Sequence, residues 1–162
     1  MPAYMQMIFG TLDFLKAYQT RAKHPLLLLR PMTGGNFALL DASGRQKFAM
    51  PQRLQVLTIS GKLQRAGFVQ LRYFHLTPED GPVFVDAAKR IVENQAGSTN
   101  SQCASVMTAG KDAAYVLLTQ WQTTTAEGAA RKTPAFVALD QFAKRAVAGA
   151  GYHEAFYQVV KP

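Results

Sequence analysis

Residues 68–95 read FVQLRYFHLTPEDGPVFVDAAKRIVENQ. The first part, Phe68–Leu76, is rich in aromatic and branched side chains, which suit a pleated strand. Asp80-Gly81-Pro82 then opens a helix over VFVDAAKRIVENQ, since proline is tolerated in a first turn. Phe84, Ala87, Ala88 and Ile91 follow the i, i+3, i+4, i+7 pattern of one apolar face, and Gly97 suits a C-terminal stop. Cys103–Thr108 and Tyr115–Trp121 read as two further strands joined by AGKD, a hairpin-type turn. The polar stretch TTTAEGAARKT leads into residues 134–145, PAFVALDQFAKR, a second amphipathic helix with Phe136, Leu139, Ala143 and Ala146 on one side. Gly149 and Gly151 end it, and Tyr152–Val160 closes as a strand. The order is β-α-β-β-α-β, the ferredoxin-like arrangement.

The preceding residues repeat the rhythm less completely. Met5–Gly10 reads as a strand. Thr11 offers an N-cap to LDFLKAYQTRAK, with Asp13 in its first turn and Leu12, Leu15, Tyr18 and Ala22 facing inward. PLLLLRP and NFALLDA are apolar strands separated by the turn MTGG, and DASGR is a second turn. Pro51–Ser60 fits either a short helix, with Leu54 and Leu57 inward, or a strand. The helix is the preferred reading because Pro51 suits the first helical position. Two such halves, residues 1–66 and 67–162, would pack their sheets face to face with helices outside. Element order alone suggests this duplication; no residue-level repeat accompanies it.

The 162 residues, 48% hydrophobic, suit one compact domain or two small packed halves and exclude a disordered chain. No apolar run is long enough to span a bilayer. MPAYMQMIFG lacks the basic and apolar regions of a signal peptide, so a cytoplasmic protein is expected, with no membrane partner. The single cysteine, Cys103, excludes an internal disulfide or cysteine-based zinc cluster and reads as a small buried strand residue. The net charge of +8 lies entirely in residues 1–75, which hold ten Lys/Arg and only two acids, Asp13 and Asp41. Such asymmetry points to an anionic partner. The cations are scattered, without the clustering of a nucleic-acid binder, so nucleic acid is not expected.

Motifs for chemistry are sparse. There is no GxGxxG, Walker loop, HExxH or GxSxG, and His24, His75 and His153 lack metal-ligand spacing. His24 suits a helix end, and His153 an exposed place near the last strand. His75 shares a strand face with Leu71 and Tyr73. Arg72 shares the opposite face with Phe68, Phe74 and Leu76, where a guanidinium needs a route to water or an anion. Trp121 ends a strand as a large core or interface residue. Asp140 lies at the edge of its helix's apolar stripe and could pair with Lys144 at i+4.

YVLLTQWQTTTA followed by TPAFVALDQFAKR resembles the antibiotic biosynthesis monooxygenase superfamily. FGTLDFLKAY, AKHP and FVQLRYFHLTPED resemble its longer subgroup, which holds HmoB-type heme-degrading monooxygenases and TRAP-like signalling proteins. The resemblance implies an α+β fold: a ferredoxin-like domain with an N-terminal α/β half, its two sheets forming a dimer-like β-barrel with helices outside. It implies a monomer that mimics the family dimer, or a homodimer. It also implies a monooxygenase acting on a small aromatic or porphyrin-like ligand. Heme-degrading members use an asparagine, a tryptophan and an iron-ligating histidine, whose positions here carry Arg72, Ala130 and Asp140. Arg72 and Asp140 would then pair across the old pocket. Other members oxygenate aromatic polyketides without metal or flavin, so no cofactor is required. Arg72, Tyr73, His75, Trp121, Ala130, Phe136 and Asp140 are the pocket candidates. The alternatives are a non-catalytic TRAP-like module whose basic half meets an acidic protein, and a heme-binding protein using His75 as a displaced ligand.

Overall fold

The computed structural model describes residues 4–98, 101–109, 114–146 and 151–161. Its elements run β1 (Tyr4–Gly10), α1 (Leu12–Arg21), β2 (Leu27–Pro31), β3 (Phe37–Asp41), β4 (Gln52–Gly61), β5 (Phe68–His75), α2 (Asp80–Ser98), β6 (Ser101–Ala109), β7 (Ala114–Trp121), α3 (Thr124–Arg131), α4 (Pro134–Arg145) and β8 (Tyr152–Val159). The strands close into one barrel in the order β1-β3-β2-β8-β5-β7-β6-β4, and every neighbouring pair is antiparallel. The first four strands form one contiguous arc and the last four the other. The arcs meet at β2–β8 and β4–β6, so among the described residues the sheet has no open edge.

Local chemistry explains most elements. Thr11 caps α1 by accepting a hydrogen bond from the Phe14 amide, and Leu15 is fully buried beneath the helix. The polar stretch after Trp121 folds as α3, capped by Thr123 through the Ala126 amide. The AGKD turn runs into residues 110–112, and these positions, like Gly149, lie outside the described residues.

Residues 52–61 form a strand, not the helix that Pro51 suggested. The burial of Leu54 and Val56, two residues apart, is the deciding pattern. A bulge between Val56 and Thr58 then shifts the register. Leu57, next after the inward Val56, faces outward against the core beneath α2 and α4, and the bulge returns Ile59 to the barrel interior. Leu54 and Leu57, three apart, lie on opposite faces of this strand, so the spacing that imitated a helix brings no two side chains together here. The segment is committed to the sheet because it pairs with β1 on one side and β6 on the other.

Alternation along each strand creates two kinds of core. The barrel interior holds Met5, Met7, Leu54, Leu71, Met107 and Leu118, all fully buried. Outside the second arc, Phe74, Phe84, Trp121, Leu139 and Phe142 pack beneath α2 and α4. Outside the first arc, α1 covers Leu28 and Leu39. Among the described residues, no helix is long and apolar enough to cross a membrane.

The arcs are joined by residues 62–67, which Gln120 clamps. Its carbonyl accepts from the Gln64 amide at 2.7 Å, and its amide donates to the carbonyls of Gln64 and Ala66 at 2.8 and 3.1 Å. Gly67 follows with φ +94°, and a Cβ there would sit 2.4 Å from the Trp121 carbonyl oxygen. Gly67→Ala is expected to cost at least about 1–2 kcal/mol, from the unfavourable φ and the backbone clash. Urea unfolding followed by Trp121 fluorescence measures this.

Candidate functional site

The pleat of β5 divides the expected pocket residues between two places. Tyr73 faces the barrel interior with Leu71, and His75 lines the opening at that end of the barrel. Arg72 lies on the outer face, with Phe74 and the helices. Trp121, Ala130 and Phe136 belong to the outer core: the Trp121 and Phe136 rings lie 6.2 Å apart, and the indole N–H donates to Thr119 Oγ1 at 3.0 Å. These three residues are buried in that core, on the opposite side of β5 from Tyr73 and His75.

On the outer face Arg72 is 4% exposed and heads a charged network. Its Nε donates to the Tyr152 hydroxyl at 2.7 Å and lies 3.6 Å from Glu154, while Nη2 reaches Asp140 Oδ1 at 3.4 Å. The guanidinium also lies over the rings of Phe74 and Tyr152. Tyr152 donates to Glu154. Arg131 bridges Glu154, at 2.8 Å, to Glu127 one turn earlier on α3. Asp140 therefore pairs with Arg72, and among the described residues it makes no ion pair with Lys144. Burial raises the pKa of the Glu154 carboxyl, but hydrogen bonds from Arg131 and Tyr152 outweigh it and hold the group below its ordinary value. Burial and the Glu154 carboxylate push the Tyr152 phenol up, so it stays protonated as a donor.

The opening lies on the other side of β5. The C-terminal ends of β1, β5 and β6 and the N-terminal ends of β4, β7 and β8 surround a cavity of about 710 Å³ at the barrel mouth. Tyr73 and His153 stack in its wall, ring centroids 4.4 Å apart and planes 12° from parallel. His75 lies 6.0 Å from His153, and its Nδ1 is buried without a hydrogen-bond partner among the described residues. The Tyr73 hydroxyl donates to Gln52 at 3.4 Å. Arg53, Tyr157 and the half-exposed Phe9 also line it, and no carboxylate does so among the described residues. Burial, then the charge of His75, lowers the pKa of His153, so its imidazole is neutral at pH 7. Burial and the neighbouring Tyr157 push the Tyr73 phenol far up. Among the described residues, no group of three or more potential ligands could hold a metal ion. Cys103 is buried, its thiol pushed up to about 12 by burial, and has no part in either place.

Sequence reading missed Tyr152, Glu154, Arg131, Glu127 and Gln52. The Glu127–Arg131 pair was legible as an i, i+4 contact. Tyr152 and Glu154 were not, because their meeting with Arg72 follows from the β5–β8 register, which sets Arg72 opposite Glu154 and Tyr73 opposite His153. That same register places His153, exposed as expected, against Tyr73.

No family model matches the sequence, and no curated protein matches it significantly. Solved structures do. An uncharacterized ferredoxin-fold protein related to antibiotic biosynthesis monooxygenases, from Listeria monocytogenes, superposes with a TM-score of 0.85 at 20% identity, covering 98% of this chain and 95% of that one. LmHde, a heme-degrading enzyme from the same organism, gives 0.82 at 19% identity over 98% and 99% of the two chains. A monooxygenase-like protein from Listeria innocua gives 0.86 at 18% identity over 98% and 94%. The fold is thus the ferredoxin-like α+β barrel of antibiotic biosynthesis monooxygenase relatives, as the sequence motifs implied.

Arg72→Ala is expected to destabilise the protein by about 3 kcal/mol, since it strips the network around it of its central cation. Asp140→Asn should cost under about 1 kcal/mol, because Asp140 is 61% exposed. Chemical denaturation of both variants separates the two cases. Glu154 has a depressed folded pKa, so its contribution is complete above the ordinary carboxylate value and is lost as pH falls through the folded one. Acid unfolding curves should show this loss in the parent and not in Glu154→Gln.

Proposed function

We propose that this chain is a monooxygenase of the antibiotic biosynthesis class that acts, without a metal or flavin, on a small aromatic molecule bound at the barrel mouth. The carrying observation is the cavity itself, with a phenol–imidazole stack in its wall, a neutral His153 beside His75, and no carboxylate lining it among the described residues. Its volume lies in the range of small-molecule sites. The motif resemblance and the fold shared with a monooxygenase-like protein support the same reading.

His153 supplies the base. It removes a proton from an acidic C–H or O–H of the aromatic, leaving an electron-rich anion over the Tyr73–His153 stack. That anion reduces dioxygen directly. Conversion of a ring CH₂ to C=O by one O₂, with the second oxygen leaving as water, balances without any other reductant. Arg53 adds a fixed positive charge to the rim, which favours the anion over its neutral parent. Tyr73, held protonated, donates to Gln52 and does not compete as a base.

The residues do not fit heme at the helix-covered face. Protein ligands to heme iron are His, Cys, Met or Tyr. The corresponding position here is Asp140, whose carboxylate is engaged by Arg72. The inner face of α4, Phe136, Leu139 and Phe142, is buried in the outer core. No heme step belongs in this reading.

His153→Gln is expected to lower kcat for oxygen uptake on a hydroxylated polycyclic aromatic by at least about 100-fold. In the parent the acid limb of the rate profile should fall below pH 6.5, the ordinary imidazole value, and the variant should lack it. Absence of both oxygen uptake and binding across a panel of planar aromatics would sink the proposal. A heme titration should leave the Soret band at its free position. A shift abolished by His75→Ala would instead favour the displaced-ligand reading.

A further inference from the structure

The end of the barrel opposite the mouth has a different chemistry. Two depressions of about 380 and 440 Å³ lie there side by side, sharing Val159 and Val160 of the β8 end as a common floor. Lys23, His24 and Arg65 line the first; Arg30 and Lys161 line the second. No carboxylate lines either one among the described residues. Lys23, Arg30, Arg65 and Lys161 are exposed, and among the described residues none of them enters an ion pair. By contrast, all three arginines found in ion pairs, Arg72, Arg131 and Arg145, serve the helix-covered face of the second arc.

We infer that this basic end of the barrel is a docking surface for an acidic, extended segment of a partner protein. Charge complementarity names the partner's sign. Four uncompensated cations around two connected grooves create a focused positive potential, which raises encounter rates and selects acidic partners. The floor, formed by Val159, Val160 and Leu26–Leu28, offers apolar contact between the charges. The wall amides of Gln102, Gln122 and Gln158 can exchange hydrogen bonds with a peptide backbone. Strand addition is excluded as a mode of binding, because the barrel is closed and the amides of Val159 and Val160 already donate to Gly67 and Leu28. Recognition must therefore pass through side chains. A single-stranded nucleic acid is the poorer occupant: Phe68 is the only Phe, Tyr or Trp lining either groove among the described residues, whereas strand binding needs a series of stacking platforms.

The test is fluorescence anisotropy with a labelled glutamate-rich peptide carrying interspersed valines. The Arg65→Glu, Lys161→Glu double variant is compared with Arg90→Glu, Lys144→Glu, whose exposed side chains lie on α2 and α4. Both doubles change the net charge equally, and near-UV circular dichroism of buried Trp121 confirms that each is folded. The groove double should weaken binding more than about tenfold, and the helix double less than about twofold. Equal weakening by the two would reduce the effect to diffuse attraction and overturn the inference. Tighter binding of a single-stranded oligonucleotide of equal charge, lost in the groove double, would overturn it in favour of nucleic acid. Neither result depends on oxygenase activity, because the grooves and the mouth share no residue.

Discussion

Closure of the barrel at the β2–β8 and β4–β6 seams is the constraint on which the molecule depends. An open eight-stranded sheet would leave two rows of unpaired amides and carbonyls. Closure pairs them and, because side chains alternate along each strand, gives every strand an inside and an outside. All later assignments follow from that division. It fills the barrel mainly with methionine and aliphatic side chains, places Phe74, Phe84, Trp121, Phe136 and Phe142 beneath the helices, and leaves the two ends of the barrel as places of different chemistry.

Arg72 shows what this division demands. Its neighbours Leu71 and Tyr73 belong to the barrel interior, so pleating forces the guanidinium to the outer face beneath α4. A charge buried there without partners would be prohibitive. The structure surrounds it with two carboxylates, a phenol and two aromatic faces. The network ties β5 to β8, α3 and α4, so it organises the helix layer over the second arc. The cavity at the barrel mouth lies across the strand from this cluster, at Tyr73 and His75.

The two ends of the barrel divide the remaining chemistry. The mouth is aromatic and imidazole-lined, with one arginine. The far end is ringed by cations that enter no ion pair among the described residues, over an apolar floor. Three of the ten cations of residues 1–75, Lys23, Arg30 and Arg65, therefore have a shared location as well as a sign. A small ligand at one end and a protein partner at the other would compete for no residue, which leaves room for both in one small domain.

Much of the fold is legible in the amino-acid sequence. Element order, the helix cap at Thr11, the buried stripe of α4 and the alternation around Arg72 are local properties of spacing and side-chain type. Together with the motif resemblance they suffice for a ferredoxin-like α+β barrel and for the Arg72–Asp140 pair. Pro51–Ser60 cannot be read locally, since Leu54–Val56 supports a strand while Leu54–Leu57 and Pro51 support a helix. Pairing with β1 and β6, with a bulge at Leu57, settles it. The site is divided in the same way. Sequence determined that Tyr73 and His75 share one face and Arg72 the other, because the strand period is two. Only tertiary structure decided which face is open and what meets it, because His153, Tyr152 and Glu154 reach β5 through a register set across about 80 residues of intervening chain.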